Sequence, residues 1–296
     1  MLCFSLNFNR MAKNSNPFGE MSFVDHLEEL RWRIARSLLA IGVFMIVAFL
    51  FKDIIFDALI FAPSREDFIT YRAFCQLSHW LHWGETLCIK PANFQLINTE
   101  MSGQFLMHIQ VAVTLGFVAA FPYIFWEGWR FVEPGLVDDE KKYTKGIVAA
   151  TSLLFFAGVL FGYFIISPFS INFLAGYYVS TQVANTIALT SYVSTISSLV
   201  LASGIMFQLP LVVYFLAYMG LITAADMRFY RRHAFVVILV VAAVITPPDV
   251  FSQILVTLPV WFLYEASIYV AVRVGKIGNG DFTPAAGIEE GSSEGE

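Results

Sequence analysis

The sequence predicts an all-α integral membrane protein with six transmembrane helices, and three observations lead to this fold class. Of the 296 residues, 57% are hydrophobic and only 14% are charged, whereas soluble domains carry about 25% charged residues. The apolar residues gather into windows, most of which approach the length of about 20 residues that a membrane-spanning helix needs. Polar segments separate these windows. The composition therefore excludes a soluble globular domain.

The six apolar windows define the predicted helices. They cover about 34–51, 105–126, 146–166, 196–219, 234–245 and 250–272. The fifth window is short, but we count it as a span because the Thr-Pro-Pro-Asp segment 246–249 follows it and the sixth begins at once. Gly42, Gly116 and Gly158 lie within the windows and are expected to serve helix packing. The prediction is a bundle with short fifth and sixth helices and a long first extracytoplasmic loop.

Basic residues are distributed unequally between the two sides of this predicted bundle. The side that carries both termini holds most of the 18 lysines and arginines. Because cytoplasmic flanks of membrane spans collect Lys and Arg, both termini are predicted to be cytoplasmic.

The chain divides into three predicted regions. Residues 1–21 are expected to form a disordered leader, since Met11 and Met21 are also plausible starts. A cleavable signal is not expected, because the first apolar stretch is too long and no small-residue cleavage site follows it. The membrane domain is expected to cover 22–274. Residues 275–296 are rich in Gly, Ser and Glu and are expected to form a disordered acidic tail.

An acidic segment borders the first window. In DHLEELRWR, residues 25–33, Glu29 lies four residues before Arg33 and Glu28 lies three before Arg31, so both pairs can form ion pairs on one helix. A surface helix held by its own ion pairs is one interpretation. A binding site is the other, because 133–140 supplies a second group of carboxylates. Two separated carboxylates suit a ligand with forked guanidinium groups, which lysine cannot replace.

Four segments resemble the TatC family of the twin-arginine protein translocase. They are DHLEELRWRI, FVEPGLVDDEKK, FGYFIISPFSINFL and ITPPDVFSQILVTLPVWFLYE. The likeness runs from about residue 22 to 272. It implies a non-enzymatic receptor of Sec-independent protein transport, which binds twin-arginine signal peptides of folded proteins in the bacterial cytoplasmic (inner) membrane. It also implies the proton-motive force as energy source, TatA- and TatB-type single-span partners and self-association among membrane lipids. Cofactors and nucleic acid are not expected.

The resemblance places the signal-peptide contacts at Glu29 and Glu140. We include their neighbours His26, Leu30 and Arg31 in the expected site.

A second polar group lies around the last hairpin, at Thr246, Asp249 and Gln253. These residues are similar to family positions that form a docking area for partner helices. The other interpretation is local, with Asp249 capping the start of the sixth helix.

Gln208 is a polar residue in the middle of the fourth window. Such a residue is a functional candidate, although a hydrogen bond to another helix is the commoner case. In many relatives the matching position is a glutamate facing an internal concavity, so a neutral residue here departs from the family pattern.

The first outer loop contains two cysteines, Cys75 and Cys88. On the oxidising side of the membrane such a pair is expected to form a disulfide. A zinc site with His79 and His82 is the alternative, but the spacing matches no standard site. No metal is therefore expected.

Two other function classes have weaker support in the sequence. A secondary transporter for a small solute should show intramembrane charges or paired broken helices. The sequence offers only Gln208 and prolines 122, 168 and 210. An intramembrane enzyme should show a nucleophile with a base, or a metal pair, and no such pattern is visible.

Overall fold

The computed structural model describes residues 23–82, 88, 94–132, 144–178, 180, 186–246 and 250–278. In those ranges the α-helices are α1 (Phe23–Leu50), α2 (Lys52–Ile55), α3 (Ile69–Trp80), α4 (Gly103–Val132), α5 (Thr144–Phe161), α6 (Ser167–Gly176), α7 (Leu189–Met206), α8 (Leu209–Tyr218), α9 (Ala224–Phe229), α10 (Arg231–Ile245) and α11 (Val250–Gly278). Strands β1 (Gln95–Ile97) and β2 (Thr186–Ala188) pair in parallel. The predicted leader and most of the predicted tail lie outside the described residues.

Five stretches of helix are long and apolar enough to cross a membrane, counting only the described residues. They are Leu27–Leu50, Gly103–Phe131, Gly146–Gly176, Leu189–Tyr218 and Ser252–Arg273. Helix α10 has 15 residues and rises only about 22 Å at 1.5 Å per residue, short of a hydrocarbon core near 30 Å. Five of the six predicted spans are therefore present, and the fifth in chain order, 234–245, stays a prediction.

The predicted helical class is confirmed, but two details of the elements differ from the prediction. The last helix is not short, because α11 runs for 29 residues and continues past the apolar window into its basic end. The fourth span begins at Leu189, earlier than predicted, and is interrupted between α7 and α8 at Phe207 and Gln208. A small parallel sheet of β1 and β2 accompanies the helices.

Helices α1 and α4 form an antiparallel pair. At one end of the pair Arg33 of α1 meets Glu127 of α4, and at the other end His108 of α4 lies 3.1 Å from the backbone oxygen of Phe49. We call the end with Arg33 and Glu127 the Glu29 end of the bundle, and the end with His108 and Phe49 the Cys75 end. The remaining spans pack around this pair, with α5 and α7 against α4 and with α8 and α10 against α11.

Hydroxyl groups tie the elements of the Cys75 end to one another. Tyr163 donates to the backbone oxygen of Leu59 (2.7 Å) and Tyr192 to that of Ile60 (3.0 Å). The Tyr71 hydroxyl, on α3, lies 3.1 Å and 3.2 Å from the backbone oxygens of Pro63 and Pro168. These acceptors lie within or just after two π-helical turns. Phe56–Ile60 contains or precedes three of them, and Gly162–Ile166 precedes Pro168.

Glycines allow the close approach of two helix pairs. A Cβ added at Gly116 would lie 2.9 Å from the backbone nitrogen of Met45, on α1. One added at Gly158 would lie 2.7 Å from the backbone oxygen of Ser203 and 2.8 Å from Cβ of Phe207. The expected packing role of Gly42 is wrong, because a Cβ there meets nothing within 4 Å.

We predict that Gly158→Ala destabilises the protein by about 1–3 kcal/mol, the usual cost of overpacking, because the Ser203 backbone cannot move away independently of α7. Gly42→Ala is the matched control and should be neutral or stabilising by up to about 1 kcal/mol, the helix propensity difference. Thermal unfolding in detergent measures both. Equal effects of the two variants would show that the close α5–α7 approach is unimportant.

Candidate functional site

Glu29 lies near the start of α1, at the Glu29 end of the bundle. Its side chain is 33% exposed, and Oε1 accepts hydrogen bonds from both Nε (3.2 Å) and Nη2 of Arg33. The predicted pairing of Glu29 with Arg33, one helical turn apart, is therefore present. Glu28 likewise faces Arg31 at 3.8 Å, on the exposed side of the helix.

Arg33 also reaches a second carboxylate, Glu127, across the α1–α4 contact. Its Nη1 donates to the backbone oxygen of Glu127 at 3.1 Å and lies 3.5 Å from Oε2 of that residue. Arg36 Nη1 and the Tyr123 hydroxyl reach the other oxygen, Oε1, at 3.3 Å and 2.9 Å. The Glu127 side chain is only 2% exposed, so these groups replace the water that a carboxylate requires.

Glu127 was missed by the sequence analysis, which singled out Gln208 as the polar residue within a span. Glu127 directly follows the predicted window 105–126 and so lies just outside the predicted span. In the structure α4 continues to Val132 and Glu127 is buried against α1. A carboxylate within a run of aromatic residues, WEGW, was the available signal.

The other predicted signal-peptide residues differ in what the structure describes. Leu30 is half-buried, and Arg31 is exposed beside Glu28. The side chain of His26 and all of Glu140 lie outside the described residues. Whether Glu29 and Glu140 form one site stays a prediction.

The predicted docking residues are largely occupied by contacts within the chain. Thr246 is 6% exposed, and its hydroxyl donates to the backbone oxygen of Ala242 at 2.9 Å. The amide of Gln253 donates to the backbone oxygen of Leu239 at 3.3 Å, which joins α11 to α10. Asp249 lies outside the described residues.

Gln208 sits at the interruption between α7 and α8. Its amide nitrogen donates to the backbone oxygen of Thr151, on α5, at 3.4 Å. Its Oε1 and the Thr151 hydroxyl are buried without a hydrogen-bond partner in the part of the chain that the structure describes. The interhelical contact expected as one alternative is present, and it leaves two polar atoms unsatisfied.

A disulfide joins Cys75 and Cys88 in the first outer loop. The two sulfurs and a ring nitrogen of His79 all lie within 4.8 Å of one another. Because the sulfurs are bonded to each other, they are not available as thiolate ligands, which is the form that zinc requires.

The comparison with known families matches most of the chain. A family model described as "TatC: Sec-independent protein translocase protein (TatC)" matches residues 25–259. The chain belongs to the TatC family. A TatC from Blattabacterium sp. subsp. Periplaneta americana is 39% identical over 262 residues, covering 88% of this chain and 98% of the relative. Another, from Desulforapulum autotrophicum, is 34% identical and covers 89% of each chain.

The fold agrees with solved TatC structures. The crystal structure of a twin-arginine translocase receptor, TatC, superimposes with a TM-score of 0.65 at 30% identity, covering 84% of this chain and 99% of that one. The same receptor in the detergent DDM gives 0.66. The curated TatC relatives are named as protein translocase components, so protein transport by a multi-pass membrane protein is the general function of this chain.

We predict that Gln208→Leu leaves the stability unchanged or raises it by about 1 kcal/mol. The substitution removes a buried, unsatisfied acceptor at the loss of one long hydrogen bond. Leucine and glutamine are of similar size, so the packing between α5 and α8 should change little. Thermal unfolding in detergent measures the effect. A loss of more than about 2 kcal/mol would show that the Gln208 amide holds α5 and α8 together.

Proposed function

We propose that this protein is the receptor that binds twin-arginine signal peptides of folded proteins at the Glu29 end. The observation that carries the proposal is the placement of Glu29: it belongs to the matched TatC region, and its Oε1 already accepts two hydrogen bonds from a guanidinium. A partly exposed carboxylate that holds Arg33 in this way is chemically suited to an arginine of a ligand, which can bind a carboxylate bidentately.

A second carboxylate, Glu140, completes the proposed site. Two arginines in a signal peptide require two separated acceptors, and in the sequence Glu140 follows shortly after Val132, the last residue of α4. His26, Leu30 and Arg31 would border the bound peptide, with half-buried Leu30 offering apolar contact. This arrangement accounts for the acidic groups among basic residues at that border.

We place the Glu29 end, and both termini, in the cytoplasm of a bacterium, with the chain in the inner membrane. The basic residues support this orientation. Arg33, Arg36 and Arg130 lie at the Glu29 end, and Arg231 pairs there with Glu265 at 2.8 Å. Transport would draw on the proton-motive force.

TatA- and TatB-type helices are proposed to dock beside the last hairpin, at Thr246, Asp249 and Gln253. Thr246 is buried within the chain, so contact would fall mainly on half-exposed Gln253 and on the exposed face of α10. That face carries Val236, Val240 and Val244, each more than half exposed. Self-association of the receptor would use the same membrane-facing surfaces.

We expect Glu29→Ala or Glu140→Ala to weaken peptide binding by about 1.5–3 kcal/mol, the contribution of a charged hydrogen bond. Purified receptor and a labelled twin-arginine signal peptide provide the assay, with a twin-lysine peptide as reference. Glu28→Ala is the matched control, because Glu28 is 63% exposed and faces Arg31, and it should bind like the parent. If both test variants also bind like the parent, the proposed site is wrong.

The second prediction concerns the short helix α10. Because its 15 residues cannot span the hydrocarbon, the bilayer beside it should be thinner, at a cost of fractions of a kcal/mol per Å. Inserting seven leucines after Val240 adds about 10 Å and close to two full turns, which preserves the helix face. Peptide binding should stay at the parental level, while transport and crosslinking of partners to the hairpin should fall.

Seven serines inserted after residue 285 provide the control for the hairpin experiment. This insertion leaves α10 unchanged and should leave transport unchanged. Export at the parental rate by the leucine variant would show that the length of α10 does not matter for transport.

A further inference from the structure

One arginine of the chain occupies the carboxylate that the proposed ligand needs. Arg33 uses Nε and Nη2 for Oε1 of Glu29 and uses Nη1 for the backbone oxygen of Glu127. Its side chain is 12% exposed, while that of Glu29 is 33% exposed. The guanidinium is thus held between two carboxylates, on the inner side of Glu29.

Glu127 has unused capacity for this guanidinium. Its Oε2 is buried and accepts no hydrogen bond from any described residue, although Arg33 Nη1 is only 3.5 Å away. Arg36, which reaches the other oxygen, is 53% exposed and is therefore partly satisfied by solvent. A buried carboxylate gains from every additional charged donor, so a small movement of Arg33 toward Oε2 is favourable.

Binding at Glu29 and the present position of Arg33 compete with each other. A guanidinium that binds a carboxylate bidentately needs both oxygens, and Arg33 now occupies Oε1 with two donors. An incoming guanidinium would approach from the exposed side and take over the hydrogen bonds to Oε1. Arg33 could then transfer its bonds to Oε2 of Glu127, so that charged hydrogen bonds lost within α1 are replaced by bonds between α1 and α4.

We propose that Arg33 is an exchangeable counter-ion, which holds Glu29 in the empty receptor and moves to Glu127 when a ligand guanidinium binds. The proposal rests on the proposed function, because it assigns Glu29 to the ligand. Glu127 is then a positioning residue that receives Arg33. The exchange also favours arginine over lysine, since an ammonium lacks the planar pair of donors with which Arg33 holds Oε1 of Glu29.

The exchange is tested by whether one substitution strengthens or weakens the binding of the peptide. Arg33→Gln removes the competitor, so the full-length receptor should bind a labelled twin-arginine peptide more tightly, by about fivefold, which corresponds to a partly exposed ion pair of about 1 kcal/mol. If Arg33 instead only orients Glu29, its removal weakens binding. Arg130→Gln is the matched control: it removes one positive charge at the same end of α4, where Arg130 lies over the ring of Trp126, and should bind like the parent.

Variants of Glu127 provide the second measurement. Glu127→Gln should weaken binding by about fivefold, because Arg33 then has no charged acceptor except Glu29. The double variant Arg33→Gln, Glu127→Gln removes both members of a buried ion pair, which avoids leaving one charge unpaired. It should bind at least as tightly as the parent. Thermal unfolding of each variant checks that the receptor is folded.

Three outcomes decide between the inference and the proposed function. Tighter binding by Arg33→Gln, together with rescue in the double variant, supports the exchange. Loss of binding in Glu29→Gln, combined with weaker or unchanged binding in folded Arg33→Gln or with weaker than parental binding in the folded double variant, overturns the exchange and leaves the proposed site standing. Parental binding by Glu29→Gln overturns both.

Discussion

The contact between α1 and α4 is the interaction on which the rest of the structure depends. Gly116 brings the two backbones together between the two ends of the pair, and buried Glu127 receives Arg33 and Arg36 at one end. A buried carboxylate is tolerated only while its cations remain in place. The start of α1 is therefore fixed against α4, and Arg33 carries this constraint to Glu29, the more exposed carboxylate.

The sequence predicts the spans well because a helix that crosses the hydrocarbon needs a continuous apolar stretch, and such a stretch is visible in local composition. Five apolar windows correspond to five helices of sufficient length. Boundaries that depend on contacts between helices are less predictable. The break at Phe207 and Gln208 precedes Pro210, which lacks the N–H that the backbone oxygen of Met206 would accept. The close approach of α7 to Gly158 of α5 at the same place has no local signal in the sequence. The parallel pairing of β1 and β2 also joins segments far apart in the chain.

In the candidate site, too, a contact within one helix is predictable from the sequence, whereas contacts between helices are not. The pairing of Glu29 with Arg33 is local, four residues along one helix, so the sequence predicts it directly. Glu127 binds Arg33 and Arg36 across separations of 94 and 91 residues. Because Glu127 directly follows an apolar window in the sequence, the local composition alone indicates a solvated residue at the end of a helix. Its role appears only when α4 is seen to continue and pack against α1.

The tyrosine bonds at the Cys75 end have a consequence for how this end of the bundle responds to pH. Tyr71, Tyr163 and Tyr192 all donate to backbone oxygens of other elements. Burial raises the pKa of Tyr71 to about 12, so its proton is retained under acidic, neutral and moderately basic conditions. Backbone oxygens do not titrate either. Acidification therefore leaves these bonds unchanged, and a fall in pH can act on the molecule only through other groups.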